Sequence, residues 1–520
     1  MIRGSFRLSL SASTYAQRGS FTTPEHDFTL FPHRNYSVTS ESRIPSEQTL
    51  KSLTDIPGNW RRNWLNVYYF WRSKGFNNAH HLMSDNFNKY GPIYREKIGY
   101  YDSIYIINPA DAVIMFKSEG PLPKRLEVAP WAAYRDLRKE NYGVQLLNGE
   151  NWKRTRLILN NSIFAQSSIQ RFVPLFNEVV LDFVSMVHKE VEKSRSDCWK
   201  TDLTNDLFKL ALESICYVLY GERLDLLQRK YNKASQKFID SVAMMFHSTP
   251  IMLYTPPCLL KTINSKIWQQ HIGSWDNIFE HADTYVKKAY RQFQQGFKNE
   301  HAFPGVLTEL LLQGVLPFED IGASLIDVMA GAIDTTSTTL HWMMYELAKH
   351  PHIQKNVRSE IMEAHQKTEG DPVKMLKSVP LLKCVVKETL RLYPVAISLQ
   401  RFLNEDTVLH NYHIPAGTLV QLGLYAMGRN SKIFKNPEQY NPERWLKGDD
   451  THFRHLGFGF GPRQCVGRRI AESQMVLFMI HMLQNFKIET DPMTEVKSKF
   501  SLILIPDKPI NLKFTPIKLE

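Results

Sequence analysis

The chain has 520 residues, of which 43% are hydrophobic and 22% charged, so it holds ample material for a large buried core. Its five cysteines are few and irregularly spaced, which argues against a disulfide-based scaffold and for a reducing compartment. The formal net charge of +12 favours an acidic partner or an anionic membrane surface, whereas the lack of an arginine-rich tract argues against nucleic acid.

Residues 1–43 have the composition of a mitochondrial transit peptide, because serine and threonine are frequent, acids are rare and the start is basic and amphipathic. A disordered tail is the alternative interpretation of this segment. No run of about 18 apolar residues follows that could span a bilayer. Since no Gly/Ser-rich or Pro-rich linker interrupts the remainder, residues 44–520 are predicted to form a single domain.

The next segments predict a mixed but mainly helical chain. Aromatic residues are dense in 56–75, which favours core packing over an interfacial membrane anchor. Strands are predicted at 90–96 and 103–107, and apolar residues at helical spacing follow to about residue 395. Strand patterns return at 408–424 and 500–514. The sum predicts a mainly α fold with a minor β component.

Residues 247–260 read as an apolar loop between two helices. Such a loop either dips into a membrane face or packs in the core, and the sequence favours neither.

A long apolar helix is predicted at 319–349, and small and polar residues interrupt its middle at 331–336. Asp334 beside Thr335 pairs an acid with an alcohol, which together can relay protons as general acid catalysis requires. In the alternative interpretation the threonine hydroxyls only bond to carbonyls of their own helix.

Glu388 and Arg391 stand three apart on one predicted helical face, and Arg444 follows in a later loop. A carboxylate shared by two guanidiniums gives fixed bidentate geometry, so these residues are predicted to be structural. Lys383 and Lys387 lie on the same helix, either as an ordinary solvated face or as a docking site for an acidic protein.

A glycine-rich loop around Cys465 precedes the apolar segment 470–486, which is predicted to be a helix. Gly461 and Gly467 would let the backbone turn tightly and approach a flat ligand. The N-terminus of the helix is expected to lower the pKa of the thiol, and a thiolate in such a pocket is a ligand for haem iron. An inert buried cysteine is the alternative.

This loop resembles the cysteine-ligand loop of the cytochrome P450 family at Phe458, Gly461, Arg463, Cys465 and Gly467. The resemblance implies the cytochrome P450 fold, with haem b held by the Cys465 thiolate between the long helix and the loop. It also implies that Asp334 and Thr335 are the catalytic acid and alcohol. Phe458 and Gly467 would adjoin the haem, and the groups near its propionates would be Trp152, Arg156, Arg401 and Arg463.

The resemblance extends to the mitochondrial branch of the family through Trp445 and through 90–96, 117–121, 335–337, 381–383 and 456–459. It implies a monooxygenase that converts cholesterol to pregnenolone by hydroxylation at side-chain carbons 22 and 20 and cleavage between them. Residues expected to line the sterol site are Trp131, Met245, Phe246, Phe500, Leu502 and Ile503.

The chain carries no flavin or nicotinamide fingerprint, so its electrons must come from another protein. The resemblance implies a mitochondrial ferredoxin (adrenodoxin), reduced by an NADPH-dependent reductase and docked at Lys383 and Lys387. It further implies peripheral attachment to the matrix side of the mitochondrial inner membrane. A sister mitochondrial hydroxylase of steroids or vitamin D remains an alternative, as does a non-catalytic thiolate-haem sensor.

Overall fold

The structure is a computed structural model that describes residues 50–163, 165–228, 232–294, 303–446 and 453–517. The chain divides into residues 1–49 and residues 50–520. The predicted transit peptide at 1–43 therefore lies outside the described residues. Within the described ranges, no helix is both long enough and apolar enough to cross a membrane.

Helices dominate the described part of the chain, as the apolar spacing predicts. Those of the N-terminal half are α1 (Asn63–Arg72), α2 (Gly75–Tyr90), α3 (Pro109–Lys117), α4 (Ala129–Arg138), α5 (Gly149–Ser162), α6 (Gln166–Lys193), α7 (Thr204–Tyr220), α8 (Lys233–Tyr254) and α9 (Pro257–Thr262). Those that follow are α10 (Lys266–Gln294), α11 (Val306–Gln313), α12 (Phe318–Lys349), α13 (Pro351–Thr368), α14 (Pro372–Met375), α15 (Pro380–Leu392), α16 (Leu424–Gly428) and α17 (Arg468–Asn485).

Within the described residues, four small sheets accompany the helices. The strands are β1 (Gly58–Asn59), β2 (Ile93–Ile98), β3 (Tyr101–Ile106), β4 (Trp199–Asp202), β5 (Ser398–Phe402), β6 (Thr407–Leu409), β7 (Tyr412–Ile414), β8 (Leu419–Gly423), β9 (Phe486–Thr490), β10 (Ser498–Ser501), β11 (Ile503–Pro506) and β12 (Asn511–Pro516). The largest sheet has the order β1-β2-β3-β8-β5, in which β1 with β2 and β3 with β8 are parallel. The others pair β4-β12-β9, β6-β7 and β10-β11.

Helix α12 runs through two hydrophobic cores. Its N-terminal half, up to Ile333, packs with apolar residues of α4, α7, α8 and α10. Its C-terminal half, from Leu340, packs with α6, α15 and α17. The polar stretch 334–339 lies between these two apolar halves, so the fold places it where the two cores adjoin.

Two sequence-based expectations about the fold are wrong. Residues 247–260 are not a loop, because α8 continues through Pro250 to Tyr254. The aromatic residues of α1 do not all pack inward: Phe70 is buried, whereas Trp64, Tyr69 and Trp71 are exposed. A smaller difference is that α17 ends at Asn485, and Phe486 begins β9.

Candidate active site

The loop before α17 fixes the position of Cys465. The Cys465 amide donates to Phe458 O at 2.7 Å, which closes the loop, and Gly467 is the residue that caps the N-terminus of α17. Gly459 and Gly461 have φ of 76° and 73°, where a side chain would be strained. Gly467 has an ordinary φ of −84°, so its expected role in a tight turn is wrong.

The glycines of this loop differ in what surrounds them. A Cβ on Gly461 would lie 2.3 Å from Glu119 Oε1, so that glycine makes room for a carboxylate and not for a flat ligand. A Cβ on Gly467 would meet no described atom within 4 Å, and the same holds for Gly331 on α12. Open space therefore adjoins both the cysteine loop and the middle of α12, as a flat cofactor between them requires.

The thiol of Cys465 sits in a mixed electrostatic environment. Cys465 is exposed, yet desolvation by the protein atoms around its sulfur raises the pKa of its thiol, and the charge of Glu472 acts in the same direction. The Gly467 amide and the guanidiniums of Arg156 and Arg125 lower that pKa. Desolvation is the largest of these effects, so the pKa of the thiol is raised on balance and the expected lowering is wrong. The opposing groups all favour the thiolate, which is the form that ligates a metal.

Near this loop lie the guanidiniums of Arg463, Arg401, Arg156 and Arg125. Arg463 stacks on the buried Trp152 ring with its Cζ 3.8 Å from the ring centroid, and it donates to Pro123 O, Leu147 O and Asn148 Oδ1. Arg401 is ion-paired with Glu119 and also donates to Phe460 O. Both of these side chains are thus largely engaged by the protein.

Arg156 and Arg125 are less completely engaged. Arg156 Nη2 donates to Gln464 O at 2.7 Å, and its buried Nε has no hydrogen-bond partner among the described residues. Arg125, which the sequence analysis missed, makes a long contact of 3.4 Å to Gln145 O. Burial lowers the pKa of both guanidiniums to about 10. These four arginines adjoin one carboxylate, that of Glu119, and Arg156 and Arg125 have N–H groups left to donate. Such a set fits a ligand that carries two carboxylates, as haem does.

The acid and the alcohol of α12 lie in different surroundings. Asp334 is 5% exposed, and its Oδ1 has no hydrogen-bond partner within the described ranges. Burial raises the pKa of Asp334 to about 7. Thr335 is half-buried, and its hydroxyl donates to Gly331 O at 2.7 Å, which is the helix-internal bond of the alternative interpretation.

Glu388 joins α15 to the loop that contains Arg444. Its two oxygens accept from Arg391 Nη2 and Nε at 2.8 Å each and from Arg444 Nε at 3.0 Å. The Asn441 amide and Trp445 Nε1 donate to the same carboxylate, both at 2.8 Å. The structure thus brings Glu388, Arg391 and Arg444 together, and their structural role stays a prediction.

The predicted sterol-site residues divide between two cores. Trp131 on α4 lies edge-to-face with Phe246 on α8 and shares a core cluster with Met245, Leu502 and Ile503. Trp131 Nε1 donates to Thr249 Oγ1 at 2.9 Å, which fixes the indole. Phe500 belongs instead to the cluster around β2, β3 and β8.

Lys383 and Lys387 line a surface groove of about 360 Å³. Arg468 and Arg469 line it too. Its remaining side chains are Ile169, Gln170, Val173, Val373, Leu376, Lys377, Val386, His455, Glu472, Ser473 and Val476. The groove therefore combines an apolar lining with a strong excess of positive charge.

Comparison with known proteins agrees with this geometry. The chain is 92% identical to the mitochondrial cholesterol side-chain cleavage enzyme of Hypanus americanus, over 99% of this chain and 100% of that protein. It is 52% identical to the enzyme of the same name from Oncorhynchus mykiss, covering 91% of this chain and 92% of that protein, and 43% identical to that of Homo sapiens, covering 93% of each. The sequence profile described as "Cytochrome P450" matches residues 57–514. The chain therefore belongs to the cytochrome P450 family.

Proposed function

We propose that this protein is a haem-thiolate monooxygenase that converts cholesterol to pregnenolone. The single observation that carries the proposal is the 92% identity, over 99% of the chain, to a protein named cholesterol side-chain cleavage enzyme. The reaction comprises hydroxylations at side-chain carbons 22 and 20 and cleavage of the bond between them.

Cys465 is the residue proposed to ligate the iron of haem b, and the cofactor when bound would supply the oxygen activation that hydroxylation requires. The Gly467 amide and the guanidiniums of Arg156 and Arg125 stabilise negative charge on the sulfur. Trp152, Arg156, Arg401, Arg463 and Arg125 are the proposed groups around the propionates. Of these, Arg156 and Arg125 have the most donors to offer.

Asp334 and Thr335 are proposed to deliver protons at the middle of α12. Because the pKa of Asp334 is raised to about 7, its carboxyl group holds a proton in a substantial fraction of molecules near neutral pH. The Thr335 hydroxyl donates to Gly331 O, and rotation about χ1 would release it. The acid then serves as the proton source and the alcohol as the adjoining donor.

Trp131, Met245, Phe246, Leu502 and Ile503 are the proposed apolar lining of the sterol site, and they share one core cluster. A sterol nucleus needs such a lining with few polar groups. Phe500 is also proposed, from the strand that pairs with Ile503 and its neighbours.

A reduced ferredoxin (adrenodoxin) is the proposed electron donor, and the groove at Lys383 and Lys387 is its proposed docking site. The groove's charge supports this, because cations outnumber its one acid, Glu472. Positive charge steers an acidic protein toward the site and gives an association that weakens with salt.

Peripheral attachment to the mitochondrial inner membrane is proposed from the relatives' names and from an exposed aromatic patch. We define this patch as Trp64, Tyr69 and Trp71 of α1 together with Leu259 and Ile263 at α9. The ring centroid of Phe70 on α1 lies 4.7 Å from that of Tyr254, which ends α8 three residues before α9 begins. Large exposed apolar rings are typical of a membrane-contacting surface. A transit peptide at 1–43 and a single domain at 44–520 complete the proposal.

The test is a reconstituted assay with cholesterol, ferredoxin, its reductase and NADPH. Pregnenolone is expected as the main product, and hydroxylation of a steroid nucleus or of vitamin D in its place would contradict the proposal. The Cys465→Ser variant is the control, because it removes the thiolate while it preserves the loop. That variant should lose the red-shifted absorption band of the reduced, carbon-monoxide-bound protein along with activity.

A further inference from the structure

A buried ion pair joins α4 to α12. Arg135 Nη2 donates to Asp327 Oδ1 at 2.8 Å, and the two side chains are 0% and 3% exposed. The guanidinium also lies over the rings of Trp275 and Phe279, at 5.3 and 4.4 Å from their centroids. Apolar residues of similar size often stabilise a core as well as a buried ion pair does, so stability alone does not account for these charges.

The chain that follows α4 is laid along α12 by the same two residues. We call residues 139–148 the strap. Arg135 Nη1 donates to Asn141 O at 3.0 Å, and the Gln145 amide donates to Asp327 Oδ2 at 3.0 Å. Gly143 completes the fit, because a Cβ there would lie 2.2 Å from Asp327 Oδ2. Each oxygen of Asp327 thus holds a different part of the α4–strap segment.

The far end of the strap is attached to the cysteine loop. Arg463 Nη2 donates to Leu147 O at 3.0 Å and to Asn148 Oδ1 at 2.9 Å. One short segment therefore connects α4, α12 and the loop that contains Cys465. A shift of the strap would therefore change the positions of α4, α12 and the Cys465 loop relative to one another.

The ion pair lies between groups with proposed functions. Trp131 precedes Arg135 by one turn of α4, so these two residues share a face of that helix. Asp334 follows Asp327 by two turns of α12, so they share a face of α12. Trp131 is fixed in turn by its hydrogen bond to Thr249. The Arg135–Asp327 ion pair therefore joins the part of α4 that contains a proposed sterol-site residue to the part of α12 that contains the proposed proton source.

We propose that Arg135 and Asp327 are positioning residues that hold the sterol in register during the successive oxidations, so that intermediates are processed before they are released. This inference rests on the proposed function, since it requires a sterol that is oxidised more than once. Two adjacent carbons must be presented in turn, and a displacement of about 1 Å at a remote contact can cost about 100-fold in rate.

The test replaces the ion pair by an apolar pair in the Arg135→Met/Asp327→Leu variant. We expect the ratio of released hydroxylated intermediates to pregnenolone to rise about tenfold or more. Independently of activity, the backbone amides of the strap, above all that of Gln145, should exchange with deuterium about tenfold faster or more. Arg138→Met is the matched control. Arg138 is on α4 like Arg135, but its ion pair with Asp276 is at an exposed site, where the two side chains are 43% and 41% exposed.

An unchanged product ratio in the double variant overturns the proposal, provided that the wild-type protein makes pregnenolone. Failure of the wild-type protein to make pregnenolone would instead overturn the proposed function. If the double variant does not bind haem, both measurements are made on Arg135→Lys, whose single amine cannot occupy the positions of Nη1 and Nη2 at once. Wild-type product ratio and exchange in that variant also overturn the proposal.

Discussion

The carboxyl group of Asp334 is buried in the middle of α12 with an oxygen that lacks a partner in the described part of the chain. Burial raises the pKa of Asp334 from its ordinary value of 3.8 to about 7. The unfolded chain therefore ionises this group as pH rises from about 4, while the folded protein keeps it protonated until about 7. Folding stability must fall across that window, because the folded state binds more protons.

We predict that Asp334→Asn gains stability relative to wild type as pH rises from 4 to 7. The gain should approach about 4 kcal/mol and then stay constant, because three pKa units correspond to that energy and asparagine does not titrate. Urea unfolding of both haem-loaded proteins at pH 5, 6, 7 and 8 measures the difference. A difference that does not vary with pH would show that Asp334 is ionised in the folded protein.

Some residues of the site could be predicted from the sequence, and others could not. Glu388 and Arg391 are three residues apart on one helix, and Arg444 belongs to a recognisable loop, so a local pattern reveals the cluster. Arg125 and Glu119 carry no such pattern, because they reach the cysteine loop only through tertiary contacts. The same is true of Arg135 and Asp327, which are far apart in sequence and meet in the core.

At the scale of elements, α8 shows why a proline-containing segment was wrongly predicted to be a loop. Pro250 removes one helical hydrogen bond, which ordinarily ends or kinks a helix. Here α8 continues because it buries Met245 and Met252 in the core. Packing against neighbouring helices outweighs the local preference, which sequence periodicity does not register.

Helix α1 carries the clearest prediction for an element. Replacing Trp64 and Trp71 by serine should reduce binding of the protein to vesicles of anionic phospholipid by about tenfold or more, because two large exposed rings are lost from the aromatic patch. Sedimentation with vesicles at fixed ionic strength measures the partition coefficient.

The control for α1 is Leu312→Ser on α11. Leu312 is 67% exposed, the same fraction as Trp64, but it lies outside the aromatic patch. It should leave vesicle binding unchanged. Equal losses in both variants would mean that general surface hydrophobicity, and not α1, governs the association.

At the scale of the whole molecule, part of the net charge of +12 is concentrated along the groove that contains Lys383 and Lys387. We predict that Lys383→Glu/Lys387→Glu weakens binding of reduced ferredoxin by about tenfold or more and flattens its salt dependence, because the groove loses its excess of positive charge. Titration calorimetry at several salt concentrations measures both effects.

Lys287→Glu/Lys288→Glu on α10 is the matched control for this reversal. It changes the net charge by the same amount, but neither lysine lines the groove. Its effect should be small at physiological salt. A loss equal to that of the groove variant would show that total charge, and not a local surface, attracts the ferredoxin.

The fold class was predictable because helical spacing dominates the sequence and the cysteine loop is a specific motif. The strand order β1-β2-β3-β8-β5 was not, since β3 pairs with a strand more than three hundred residues later. Local patterns specify that a segment is extended but not which partner it finds. For the same reason, the sequence does not show that the two halves of α12 pack into different hydrophobic cores.

Leu502 illustrates what a strained position discloses about its surroundings. It forms the tip between β10 and β11 with φ of 64°, a conformation in which glycine is relaxed and leucine is penalised by about 1–2 kcal/mol. Its side chain packs against the core that contains Trp131 and Met245. A glycine at this tip would relieve the backbone strain, but it would leave a gap the size of an isobutyl group. The strain at Leu502 therefore accompanies a side chain that keeps the apolar surface continuous at this tip.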